Sequence, residues 1–459
     1  MKIILFDVQT RETAINKTMA GGYGTSSRYA YPKKILIEFL TKAKKKGVVI
    51  PLIDFAYLAA IFRSQNNEVK IIHGNSFSEA DIYIIYGSLV EYDAEVSFAR
   101  QIRKAYQEAK IGFIGLLPTV LPDLFLKYAD FIIQGESENY FLTKGINDKL
   151  SGVIRAGLVE NLDSLPFPDW SGFEMRKFIH YYFFGKESVY PVLTSRGCPF
   201  SCSYYCAYPI IAGRKVRYRS IENIINELRY LKDKYNARAV LFRDPNFTLD
   251  KDRVMQLCNE IIGKKLNIHW ACECHPSQLE KKLIDLMYKA GARAITTGVE
   301  SRNKEVLKQS HRYQGIEEKD LEEIVDYCEK KGIAIMAGYI LGHPSDTEKT
   351  VNDTIDYSIK LNTTYAQFVI STPYPGTQYY ESLADYLITE DWTKYDTYTL
   401  VFNHPSLSYK KIEELKCRAY IKYYYRIRWI LTKFVRRKLN DFFNWNQRFS
   451  GKKYSQSSG

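Results

Sequence analysis

Three cysteines stand close together in the run Thr194-Ser-Arg-Gly-Cys198-Pro-Phe-Ser-Cys202-Ser-Tyr-Tyr-Cys206-Ala-Tyr-Pro209, and no cysteine precedes residue 198. Three thiolates on one short loop can hold three irons of a [4Fe–4S] cube and leave the fourth iron open to another ligand. Zinc is the alternative, but a structural zinc takes four ligands and the loop contains no histidine. The plain reading is three buried, unreactive thiols. The chain has eight cysteines in 459 residues, too few for a disulfide scaffold, so a reducing compartment is expected.

Around that loop, short apolar runs alternate with amphipathic ones, which argues for parallel sheets with helical crossovers. Before it, KIILFDV, EVKII, DIYIIYGS, KIGFIGLL and ADFIIQGE read as strands, with helices over 54–65 and 93–107. This predicts a doubly wound sheet over 1–155, whose ligand lies beyond the carboxyl ends of the strands. Gly87 and Ser88, Gly115, and Gly135 with Glu136 stand at those ends. Tight turns alone also account for such glycines. Residues 17–28, KTMAGGYGTSSR, are Gly-rich without dinucleotide-fingerprint spacing. They read as a phosphate-wrapping loop or a lid. A turn-rich linker over 156–186 contains Pro166 and Pro168. After it, YPVLTS, AVLFRD, NIHWACE, AITTGVE, IAIMAGYILG and AQFVIST alternate with helical stretches near 220–234, 250–264, 277–290, 316–331 and 347–361. Six βα units over 187–390 predict a partial (βα)6 TIM-like barrel with chemistry at the carboxyl ends of its strands. The fold class is therefore α/β, with a helical basic segment over 391–459.

Other residues in this framework have two readings. Cys272 and Cys274 lie two apart on the third barrel strand and so share a face. They are expected to point into the barrel, as metal ligands or as packing. His275 and His343 fall at strand ends, as proton donors or as satisfied structural histidines. Cys258, Cys328 and Cys417 sit in helical patterns as small hydrophobes.

The composition is ordinary for a globular chain, 46% hydrophobic and 25% charged, which excludes disorder. Aromatic content is high, with 37 Tyr and 24 Phe. The formal charge of +13 is concentrated near the end: from Ser408 onward there are 14 Lys and Arg against 3 Asp and Glu. Residues 418–443 form an amphipathic pattern. Tyr420, Tyr423, Tyr424, Ile427, Ile430, Leu431, Phe434 and Phe442 fall on one face, and Lys422, Arg426, Lys433, Arg436 and Arg437 on the other. Such a helix suits a membrane interface; packing on the barrel is the rival, and RNA binding a third reading. The apolar run after Met1 breaks at Asp7, and Ile111–Leu126 is broken by Pro118, Pro122 and Asp123, so neither an export signal nor a spanning helix is expected.

The cysteine loop, with RSIENIINEL, LFRDPNFT, TTGVESRNKEVL, GYILGHPSDTEKT and TPYPGTQYYESL after it, resembles the radical S-adenosylmethionine (radical SAM) superfamily. With LDSLPFPDW and PLIDFAYLAAIFR, the layout over residues 1–385 is similar to the cobalamin-binding members of that family. The resemblance implies that S-adenosylmethionine (SAM) chelates the open iron and that its reductive cleavage yields a radical which takes hydrogen from an unactivated carbon. By matched position, it places Glu300 on the SAM ribose, Tyr205 near the adenine, and Gly338, Ile340 and Gly342 in the adenine segment. Asp244 and Asn246 fall near the methionyl end. Two departures stand out. The spacing is CxxxCxxxC, one residue longer than the family's usual CxxxCxxC, and no DxHxxG motif supplies an imidazole to cobalt.

The reading is a radical SAM enzyme with a [4Fe–4S] cluster, SAM and cobalamin. It methylates, cyclises or otherwise modifies an unactivated carbon of a lipid, isoprenoid or pigment. Its expected partners are a lipid-soluble substrate, an electron donor such as ferredoxin or flavodoxin, and a membrane surface met through 418–443; nucleic acid is not expected. It is expected in the cytoplasm, peripheral on the inner face of the membrane. The rivals are a radical SAM methyltransferase of a soluble natural product and a non-enzymatic metal- or cobalamin-binding regulator. A tRNA methylthiotransferase is disfavoured, since that group carries three cysteines in its N-terminal domain.

Overall fold

A computed structural model of the chain describes residues 1–10, 15–26, 48–312 and 315–435. Arg436, Arg437, Phe442 and the end of the Gly-rich run, named above, lie outside the described residues.

The first sheet has six parallel strands: β1 (Lys2–Val8), β2 (Glu68–Gly74), β3 (Ile82–Tyr86), β4 (Lys110–Ile114), β5 (Phe131–Gly135) and β6 (Gly152–Gly157). Their spatial order is β2-β1-β3-β4-β5-β6, which puts a topological switch point between β1 and β3. Ile3, Ile4, Leu5 and Phe6 are all fully buried, as a central parallel strand covered on both faces requires. Ile3 and Leu5 pack toward helix α1 (Ile53–Ser64), and Ile4 and Phe6 toward α2 (Tyr92–Ala105). A seven-residue helix α3 (Ser137–Thr143) follows β5.

The second sheet is also parallel, and its strands pair in chain order: β7 (Val189–Val192), β8 (Ala239–Phe242), β9 (His269–Glu273), β10 (Ala292–Glu300), β11 (Ala334–Leu341) and β12 (Tyr365–Ile370). Helices α4 (Ile221–Tyr235), α5 (Lys251–Gly263), α6 (Lys281–Lys289), α7 (Glu318–Lys331) and α8 (Glu348–Leu361) lie between them. Their starts follow from capping chemistry. Ser220 accepts from Asn223 N, Asp250 from Arg253 N, and Thr347 forms a capping box with Thr350. Small inward residues (Ala239, Ala271, Ala294) leave room at the base of the barrel for Ile50 and Phe183, which plug it.

The barrel is open between β7 and β12, and helix α9 (Tyr409–Tyr424) covers the β12 edge. Tyr424 Oη donates to Ala366 O at 2.7 Å and accepts from Ala366 N at 3.0 Å. Tyr420 Oη treats Phe368 alike, at 3.0 and 3.2 Å. Tyr423 bonds the Thr363 carbonyl and Trp429 Nε1 the Thr364 carbonyl. The edge's unpaired backbone groups are thus met by side chains, one of the ways a sheet edge is protected. This revises the expected membrane helix. Tyr420, Tyr423 and Tyr424 of its aromatic face are occupied by the barrel, the helix breaks at Tyr425, Arg426 donates to the Tyr423 and Ile359 carbonyls, and Lys433 pairs with Glu329. Ile427 and Leu431 remain exposed. Among the described residues no helix is long and apolar enough to cross a membrane.

Candidate active site

The cysteine loop leaves β7 under tight control. The Asp244 carboxylate, beyond β8, accepts from Thr194 N at 2.6 Å and Ser195 N at 3.0 Å and also holds the Thr194 hydroxyl. Arg253 donates to the Thr194 carbonyl at 3.0 Å. Ser195–Arg196 pairs antiparallel with Arg217–Tyr218. Gly197 has φ +97°, and a Cβ there would collide with the Lys215 carbonyl, so glycine is required. Beyond it, Ser201–Tyr204 forms a 3-10 turn and Cys206 N donates to Cys202 O at 2.9 Å. That turn absorbs the additional residue between the second and third cysteines.

Cys198 and Cys202 are buried, and Cys206 is half-buried. Burial raises all three thiols, Cys206 to about 12, and the neighbouring thiols add to the rise at Cys206. Arg312 lies against Cys202 as a hydrogen-bond donor. Among the described residues, no three Cys, His, Asp or Glu side chains gather to hold one metal ion. A cube distributes its ligands over separate irons, and three mutually sensing thiols on one loop fit that demand.

Beside the loop, a cleft of roughly 560 Å³ including its mouth is lined by Tyr205, Glu300, Ile340, His343, Tyr374 and Thr397, among others. Glu300 sits at a register shift closing β10, with φ +64°. Burial raises its carboxyl, partly offset by Arg312 at 3.7 Å. Two strands are thus brought to the thiol loop, with a carboxylate and an aromatic ring on one apolar wall.

Residues 192–358 match the radical SAM superfamily. The chain carries a radical SAM domain. It is 29% identical over 422 residues to an uncharacterised methyltransferase of Pyrococcus horikoshii, covering 83% of this chain and 89% of that one. It is also 29% identical to the bacteriochlorophyllide d C-12(1)-methyltransferase of Chlorobaculum tepidum, over 68% of each chain. The fold is shared with the radical SAM methyltransferase TsrM of Kitasatospora setae, solved with cobalamin and a [4Fe–4S] cluster. That likeness has a TM-score of 0.60 at 15% identity and covers 84% of this chain and 78% of that one.

Around this radical SAM domain the residues matched by sequence separate into groups. Tyr205, Glu300 and Ile340 line the cleft together. A Cβ at Gly338 would make ordinary contacts, 3.8 Å from Thr297 O and 4.0 Å from Gly298 Cα. Gly342, at φ +76°, instead faces Ile412 of α9. Asp244 is fully buried and engaged with the loop backbone, and Asn246 accepts from His275 N at 3.3 Å. Cys272 and Cys274 do not face the interior. They pack outward with Cys258 of α5 and Cys328 of α7 in the helix-side core, because inward places on β9 go to Ala271 and Glu273. Sequence reasoning missed Arg312, Tyr374 and Thr397, which stand in irregular segments with no periodic signal.

The five candidate cobalamin residues each make an internal contact. Ser88 bonds Glu95, at 2.7 Å through its hydroxyl. Gly87 packs on Pro118, Gly115 on Tyr86, and Gly135 on Gly157. Glu136 accepts from Arg217 at 2.8 and 2.9 Å and lies 3.3 Å from Arg196, so it ties the first sheet to the cysteine loop. Glu138 pairs with Arg196 at 2.8 Å. The switch point itself is covered by residues 15–26. Lys17, buried, lies 3.1 Å from Asp7 and 2.8 Å from Glu95, and Gly21 presses on Tyr208 beside the cysteine loop.

Proposed function

We propose that the protein is a cobalamin-dependent methyltransferase of an unactivated carbon, acting on a lipid-soluble pigment or isoprenoid. The observation that carries the reading is the thiol loop opening onto the cleft of Tyr205 and Glu300. Cys198, Cys202 and Cys206 would hold the cluster, which supplies the electron that cleaves SAM. Glu300 would accept from the ribose hydroxyls, Tyr205 would cover the base, and Gly338 and Ile340 would lie beside the adenine. Asp244 acts from behind, holding the loop's first turn. Asn246 would stand at the methionyl end. Apolar walls from Val369 and Ile370 exclude water from the cleft. A ferredoxin or flavodoxin would supply the electron.

Cobalamin would bind between the two sheets, where the segment 15–26 now packs. Support comes from the orientation of both sets of carboxyl ends toward that segment and from relatives that span both sheets. The methyltransferase names of those relatives favour methyl transfer over cyclisation. A protein of this type belongs in the reducing cytoplasm. Anaerobic reconstitution with iron and sulfide, then SAM and a reductant, should yield 5′-deoxyadenosine or S-adenosylhomocysteine, and the protein should take up hydroxocobalamin. Cluster loading without SAM turnover would refute the reading.

One observation favours a second reading, a soluble substrate. The aromatic face that suggested a bilayer is occupied by β12, leaving Ile427 and Leu431 with Arg428 as the described contact for a membrane. Liposome flotation separates the two: the lipid-soluble reading requires retention on anionic vesicles.

A further inference from the structure

Residues 15–26 pack between the carboxyl ends of the two sheets and are fastened to both. On the first sheet, buried Lys17 lies 3.1 Å from Asp7 of β1 and 2.8 Å from Glu95 of α2, and its Nζ donates to Tyr86 O at the end of β3 at 3.3 Å. Burial opposes its charge, but Glu95 and Asp7 outweigh burial and keep the ammonium protonated. Leu89 N donates to Tyr23 O at 3.1 Å. On the barrel, the fully buried Tyr23 donates its hydroxyl to Pro375 O at 2.5 Å, and its ring stacks on Tyr374 with centroids 5.0 Å apart. Arg243, just beyond β8, donates to Thr18 O at 3.0 Å. This seat also carries costs. Ala20 has φ +53°, a left-handed value that a residue with a Cβ rarely adopts. Asn16 Nδ2 is buried without a hydrogen-bond partner among the described residues. A segment held by a few specific contacts against such costs belongs to the part of a fold that opens locally.

We propose that residues 15–26 form a strap that closes the crevice between the sheets and swings out to admit the corrinoid, with Lys17 latching it to the first sheet and Tyr23 latching it to the barrel. The inference rests on the corrinoid reading given above. Lys17 and Tyr23 fill the crevice as close-packed side chains, and an interior of that density leaves no void for a macrocycle. The corrinoid and the seated strap therefore exclude each other. Only the open fraction of the protein binds, and the apparent affinity falls by that fraction. Opening leaves neither carboxylate bare. Asp7 keeps His73 Nδ1 at 2.7 Å, and Glu95 keeps Ser88 N at 2.8 Å and Ser88 Oγ at 2.7 Å. The first sheet is thus built to hold its acids with the strap seated or released.

The test is titration of the cluster-loaded full chain with hydroxocobalamin, followed by the corrinoid absorbance. Tyr23→Phe keeps the ring stack and loses the bond to Pro375 O, so it should bind hydroxocobalamin about 2- to 10-fold more tightly than the parent. Lys17→Met should also bind more tightly, the reverse of what a damaged fold would do. Amine acylation read by mass spectrometry gives a second readout: Lys17 should be protected in the free protein and modified in the cobalamin-loaded one. Variants with native circular dichroism that bind no more tightly than the parent, or a Lys17 that stays protected after loading, would overturn the strap. No uptake by the parent and by both variants would overturn the corrinoid reading itself.

Discussion

Replacing Arg217 by Met should loosen the cysteine loop from the first sheet. Arg217 is 5% exposed and donates four hydrogen bonds: two to Glu136, one to Val159 O at 2.6 Å and one to Ala212 O at 2.7 Å. Its loss leaves two buried carbonyls short of a donor and Glu136 with Arg196 as its remaining charge partner. Removing one member of such a buried pair costs about 3–5 kcal/mol. Removing Glu136 as well should recover at least ~2 kcal/mol of that, because apolar replacement of a whole buried pair is often neutral, and Arg196 keeps Glu138. The readout is hydrogen exchange at the Ser195–Arg196 and Arg217–Tyr218 ladder, since a chain of several domains gives no single unfolding free energy. Protection there should fall by two to three orders of magnitude, about 1.4 kcal/mol each, and partly return in Arg217→Met/Glu136→Leu. Although burial pushes the Glu136 carboxyl up, Arg196 and Arg217 outweigh it and hold it below its ordinary 4.5. Its contribution is therefore fully present above that value and is lost as the pH falls through the lower folded value. The penalty of Arg217→Met should be constant from neutral pH down to about 5 and shrink only in stronger acid. Additive costs in the double variant, or a single penalty below ~1 kcal/mol, would refute a clamp.

Three further outcomes are expected. Cys198→Ala, Cys202→Ala and Cys206→Ala should each lose the cluster's absorbance and all SAM cleavage; full iron in the Cys206 variant alone would mean a different third ligand. Gly197→Ala should disrupt the loop through both its positive φ and the collision with the Lys215 carbonyl, lowering iron content while leaving the first sheet's exchange protection intact. Tyr420→Phe and Tyr424→Phe should each cost about 1–3 kcal/mol by stripping a donor and an acceptor from a buried edge, seen as faster exchange at Phe368 and Ala366.

Most strands were legible because each holds a short, largely apolar run between amphipathic helical stretches. The missed strand β6, GVIRAG, is largely exposed and has glycine at both ends, so it carries no such run. The cysteine ligands were legible because three thiols in one loop are rare without a purpose. Glu300 and Tyr205 were reachable by their place relative to strand ends, a regularity of parallel barrels. Gly342 followed the same rule, but its positive φ turns it toward α9. Tyr374 and Thr397 were not legible as cleft residues, because they owe their position to packing between segments distant in the chain. Nor was the orientation of Cys272 and Cys274, since period-two alternation gives a shared face without saying which one.

The C-terminal helix shows why an amphipathic pattern underdetermines its partner. Aromatic residues opposite basic ones satisfy any interface that is apolar on one side and wet on the other. A bilayer and an open sheet edge both qualify. They differ in one requirement: the edge presents unpaired N–H and C=O groups at fixed spacing, whereas hydrocarbon presents none. Tyrosine meets the first demand because its hydroxyl both donates and accepts at the end of a rigid ring. Tyr420 and Tyr424 are four apart on the helix, about 6 Å along its axis, and they meet Phe368 and Ala366, two apart on β12, about 6.6 Å along the strand. That near match lets one helix face serve alternate backbone sites of one strand. Tyrosine in preference to phenylalanine at these positions was thus the signal in the sequence, and it points to a backbone partner within the chain.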